Sequence, residues 1–78
     1  MKRELFYSYL RKQRTRQDRV GAFGRYAVAD VLFPRRVRAL RDIERYFAML
    51  HASAENIATV RAAWAEYETH IKEAEAQR

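Results

Sequence analysis

Arginine is the one chemically active side chain that this sequence supplies in quantity. Arg35, Arg36, Arg38, Arg41 and Arg45 fall close together, and Arg11, Lys12, Arg14 and Arg16 form a second basic run nearer the start. A guanidinium presents paired N–H donors in a planar fork that matches the two oxygens of a phosphate or a carboxylate, so these clusters point to an anionic partner. The charge is also unevenly placed. Residues 1–45 carry 13 Lys or Arg against 5 Asp or Glu, whereas residues 46–78 carry 3 against 5, within a net charge of +6. A uniform compositional bias would not produce that offset, while a front half that faces a polyanion would.

Groups suited to bond-making are sparse. His51 and His70 are isolated, Ser8 and Ser53 have no neighbouring base, and no carboxylate pair has an argued site. With no Cys in the chain, a thiolate nucleophile, a thiolate metal site and a disulfide framework are excluded. No ligand cluster supports a metal, so the expectation is a protein without catalysis, metal or cofactor. Gly21-Ala22-Phe23-Gly24, flanked by Arg19 and Arg25, matches the GxxG pattern by which KH domains clamp phosphates. KH folds need strands that this chain does not offer, and Phe23 would be wasted in an exposed loop, so packing is the favoured role of these glycines.

The elements that must position the arginines are helices. Pro34 and the two glycines are almost the only punctuation, too little for a strand-and-turn architecture. The first helix is expected over about 3–14, with Leu5, Phe6, Tyr9 and Leu10 on one stripe and its cations near the negative end of the helix dipole. Asp18 is placed to cap a second helix over about 19–30 that buries Val20, Phe23, Ala27 and Val31. Gly21 and Gly24 weaken that helix unless another backbone approaches closely. Pro34 forces a turn in which Leu32 and Phe33 tuck inward.

A third helix over about 37–51 carries Leu40, Ile43, Phe47 and Leu50 on its core face and Arg38, Arg41 and Arg45 opposite, with Asp42 and Glu44 partly offsetting them. The fourth, over about 54–76, repeats Ile57, Val60, Trp64, Tyr67 and Ile71 at three and four, with Ser53 or Thr59 as its cap. One domain over residues 1–78 follows from the length, and a core rich in its ten aromatic residues follows from its small size. No run approaches the roughly 20 apolar residues of a membrane span, so the cytoplasm is the expected location and no membrane partner is expected.

Four separated motifs carry a resemblance: Phe6-Tyr7-Ser8-Tyr9-Leu10, Asp18 with Val20-Gly21, Asp30 before Phe33-Pro34, and Ala63-Trp64 before Tyr67-Glu68. In order and spacing they resemble the YozE SAM-like family over about residues 5 to 68. The resemblance implies a short bacterial protein with an all-α, compact four-helix bundle similar to sterile alpha motif domains. It implies no established activity and transfers no site residues. Nucleic-acid binding has been suggested for such domains from the fold alone, and the Arg-rich stretch from Arg35 to Arg45 departs from what a member need carry.

The functional expectation is a small non-enzymatic domain that contacts nucleic-acid backbone, DNA or RNA without sequence specificity, through Arg11, Lys12, Arg14, Arg16, Arg35, Arg36, Arg38, Arg41 and Arg45. Tyr7, Tyr26 and Tyr46 lie off the core stripes and are the candidates for base stacking. The alternative is a protein-interaction module, self-associating or bound to an acidic partner. In the self-associating form, Glu66, Glu68, Glu73 and Glu75 of the last helix would meet the arginine face of a second copy.

Overall fold

Helix periodicity and three capping carboxylate or hydroxyl groups set the elements. The computed structural model describes residues 3–77; Met1, Lys2 and Arg78, which the expected domain includes, lie outside the described residues. Four helices follow in order: α1 (Phe6–Gln13), α2 (Arg19–Ala29), α3 (Leu40–Met49) and α4 (Ala54–Ala76), with no strand among the described residues. The second and fourth start where expected because their caps form. The Asp18 carboxylate accepts the Gly21 N–H at 2.9 Å, and the Ser53 hydroxyl, rather than Thr59, accepts the Asn56 N–H at 3.1 Å.

The other two helices start three residues later than expected, for identifiable reasons. At α1, Leu5 is extended, and the Tyr67 hydroxyl on α4 donates to the Glu4 carbonyl, so this stretch is tied to α4 rather than wound into α1. At α3, the Asp42 carboxylate accepts the N–H groups of Ala39 and Arg38 at 3.3 and 3.4 Å, which fixes Ala39 as the N-cap. Ala39 has no side-chain acceptor, so only this return half of a capping box is made. Val37 packs against the core from the loop.

The core is one cluster of buried side chains drawn from all four helices plus Phe33. Phe6, fully buried, sits 4.8 Å from Trp64 and 5.3 Å from Tyr67, ring centre to ring centre, and 6.3 Å from Phe23. Phe23 and Phe33 continue the aromatic contact to Phe47. Tilted and edge-on pairs of this kind add about 0.5–1.5 kcal/mol each beyond their burial, which matters to a chain with so small an interior.

Four apolar residues expected inside are not: Leu5, 40 % exposed where it precedes α1 as its extended N-cap, and three others. Val31 and Leu32 are 83 % and 77 % exposed, and Leu50 is 48 % exposed. Asp30 explains the first two: its carboxylate accepts the Leu32 N–H, its carbonyl accepts the Phe33 N–H, and the turn so formed swings Phe33 inward while Val31 and Leu32 take the tip. Leu50 is the C-cap of α3, beyond the last helical turn that faces the core.

The glycines take the role of close approach. A Cβ on Gly21 would stand 2.0 Å from the Arg16 carbonyl oxygen, and one on Gly24 would stand 2.5 Å from that of Leu10. Both glycines therefore face the protein's own backbone at the α1–α2 corner. Arg25 closes the corner, its guanidinium donating to the carbonyls of Arg14 and Arg16 at 2.7 and 2.9 Å.

Candidate nucleic-acid interface

Pro34 ends the inward turn at Phe33 and sends the chain back out, so Arg35 and Arg36 emerge exposed. The Arg35 guanidinium lies 4.8 Å from the centre of the Tyr7 ring, and that ring packs on Phe33 at 5.9 Å. Tyr7 and Arg11 on α1 and Arg14, its C-cap with helical backbone angles, are four and three residues apart, which places them on one ridge. Arg35 therefore adjoins the ridge that carries Arg11 and Arg14, all three exposed. Residues far apart in sequence thus contribute to one basic strip.

Arg41 and Arg45, one turn apart on the outward side of α3, are exposed as expected. Arg38 is exposed too, but it precedes the helix, so its place is set by the loop and not by the helical period. Neither Asp42 nor Glu44 forms an ion pair with these arginines. Asp42 is occupied by backbone N–H groups, and Glu44 pairs with Arg61 of α4. No carboxylate of the described residues lies within 4.0 Å of the guanidinium group of Arg35, Arg36, Arg38, Arg41 or Arg45.

Two of the nine expected contact residues are matched internally. Arg16 pairs with Glu66 at 2.7 Å and with Asp18, and these partners push its guanidinium further into the charged range. It ties α4 to the α1–α2 corner and is not free to take a phosphate. Lys12 lies 2.8 Å from the Glu4 carboxylate, which the His70 ring also contacts at 2.8 Å. Burial alone would raise the Glu4 carboxyl, but Lys12 and His70 outweigh it and hold Glu4 below its usual range.

The three tyrosines expected to offer stacking faces are engaged in the fold. Tyr7 lies between Phe33 and Arg35, while Tyr46 and Tyr26 both donate their hydroxyls to Asp30 and set their rings against Phe47. The tyrosine hydroxyls and the Leu32 N–H hold the Asp30 carboxyl down, and Asp30 in turn pushes the Tyr46 hydroxyl well up. Arg25 is an arginine whose structural part sequence reasoning missed; its position one residue after Gly24 was the available signal. A cleft of about 420 Å³ between α2 and the start of α4, floored by Phe23, Phe47 and Val60 with Arg19 and Glu55 on its lining, also had no sequence signal.

Among the described residues no three His, Asp or Glu side chains are grouped to hold a metal ion, and no helix is long and apolar enough to cross a membrane. A family model described as "YozE SAM-like fold" matches residues 6–69. No curated protein matches the chain, and no solved structure does.

Proposed function

The chain belongs to the YozE SAM-like fold family, and we propose that on this fold it acts as a non-enzymatic binding domain whose free arginine surface contacts nucleic-acid backbone. The observation that carries the reading is the run Arg35, Arg36, Arg38, Arg41 and Arg45, exposed and without an acidic partner among the described residues, although Asp42 and Glu44 stand within the same run. Like charges left together in this way repel one another and raise the local positive potential, which a phosphate ladder relieves by releasing its counterions. Arg11 and Arg14 extend the surface because they follow Tyr7, the ring under Arg35, at helical spacing, whereas Lys12 and Arg16 fall out of the proposed set. The domain needs no sequence readout for such binding, because phosphate contacts position without specifying.

The test is an anisotropy titration of labelled DNA and RNA over a salt series. With five to seven arginines reaching phosphates, log affinity for a duplex should fall with log salt at a slope of about −4 to −6. Replacing Arg38 and Arg41 with Glu removes two contacts and should weaken binding about 60-fold at 0.1 M salt, with the melting temperature unchanged, since each contact contributes about 0.9 to the slope. Affinity that ignores salt, or that survives the double replacement, would remove the reading.

A second reading, self-association or an acidic partner, is supported by Glu68, Glu73 and Glu75, which are exposed on the far part of α4 with no cation of the described residues within 4.0 Å. Glu66, the fourth member of that expected set, is taken by Arg16. Light scattering across protein concentration and salt separates the readings: salt-sensitive oligomers without nucleic-acid binding would favour the second.

A further inference from the structure

Resting on that reading, we infer that the arginine surface is built for duplex backbone and discriminates against single strands. Proteins that hold single strands without sequence preference combine a basic groove with aromatic faces on which successive bases stack. This molecule has ten aromatic rings, and seven of them are buried. Beside the arginine run, Tyr7 has Phe33 and the Arg35 guanidinium against it, and Tyr46 is half-buried between Phe33 and Phe47 with its hydroxyl held by Asp30. The remaining ring, Tyr26, is 41 % exposed and is likewise tethered to Asp30 and set against Phe47. One exposed ring and two half-buried ones, all three already engaged within the fold, do not form the row of platforms that a single strand follows.

What the surface does present is charge density. Arg41 and Arg45 are separated by about 6 Å along the axis of α3, a length over which duplex DNA carries three to four phosphates and either strand alone about half as many. Their flanking loop adds Arg35, Arg36 and Arg38, and α1 with its C-cap adds Arg11 and Arg14, all in exposed positions. Because each contact contributes about 0.9 to the salt slope on duplex and about 0.7 on a single strand, five to seven contacts give roughly a ten- to twenty-five-fold preference for duplex at 0.1 M salt when nothing else distinguishes the two. Stacking would normally offset that difference, and here no row of rings is available to supply it.

The experiment is a competition between a labelled 16-base-pair DNA duplex, the matching RNA duplex and one single strand of each, titrated with the full chain from 0.05 to 0.3 M salt. Both duplexes should bind at least about tenfold tighter than the strands at 0.1 M salt, with the steeper salt slope. Single strands that bind as tightly as duplex, or tighter, overturn the inference while leaving the proposed function standing. Failure of all four probes to bind overturns the proposed function itself. A Tyr26→Ala variant, checked for folding by circular dichroism, should leave all four affinities within twofold; selective loss of single-strand binding would reveal a stacking platform and also count against the inference.

Discussion

At the scale of single residues, Gly21 and Gly24 show how a sequence can announce a contact without naming its partner. Two glycines three apart inside a helix imply that something comes close, since each otherwise costs up to about 1 kcal/mol against Ala. That the neighbours are the carbonyl oxygens of Arg16 and Leu10 depends on the angle at which α1 turns into α2, which no local pattern encodes. Gly24→Ala should therefore destabilise the fold by about 1–3 kcal/mol through overpacking, although helix propensity alone favours it. Gly21→Ala, with less room still, should cost more. Ala22→Gly, on the exposed side of the same helix, should cost only about 1 kcal/mol, and denaturant unfolding curves measure all three. The neutralisation of Arg16 was hidden for a related reason: Glu66 lies 50 residues away and reaches it only after α4 has packed across the corner.

At the scale of elements, existence and order were legible throughout, and boundaries failed where a single side chain overrode the period. α4 shows its a/d stripe plainly and starts and ends as expected. α3 starts at Leu40 because Asp42 turns back to Ala39 and Arg38, a signal present in the sequence but outweighed by the earlier apolar Val37. Its other end closes as a Schellman motif, with the Ala52 N–H donating to the Phe47 carbonyl at 3.0 Å and the His51 N–H to that of Ala48 at 3.1 Å. His51 takes φ 56°, a conformation that favours glycine and costs other residues roughly 1–2 kcal/mol. Placing His51 at the helix end was possible from sequence; its left-handed backbone was not, because Gly is the usual marker and is absent. His51→Gly should stabilise the protein by about 1 kcal/mol, raising Tm by about 4–8 °C, whereas His51→Val should lower it. A calorimetric scan of the two variants with opposite signs would establish the cap.

At the scale of the whole molecule, the +6 charge separates into groups that hold the fold together and groups left to solvent. Glu4, Asp18 and Asp30 belong to the first kind, and each has its carboxyl held below its ordinary value of 4.5 or 3.8. A carboxyl depressed on folding binds fewer protons than in the unfolded chain, so its contribution is complete above the unfolded value and is lost as pH falls through the folded one. Stability should accordingly decline below about pH 4.5. The alkaline side carries the opposite sign. Burial and Asp30 raise the Tyr26 hydroxyl, and Asp30 raises that of Tyr46, above the ordinary 10.0. Their contribution is therefore present below pH 10 and is lost as pH climbs through the raised values. Asp30 takes part in both limbs, accepting both tyrosine hydroxyls at the junction of α2, the Phe33 turn and α3. Asp30→Asn keeps an acceptor but removes the charge, so its pH–stability curve should be lower at neutrality and flatter on both sides. Chemical denaturation from pH 3 to 11 would register this, and a variant curve parallel to the parent at both ends would show that Asp30 acts through shape alone.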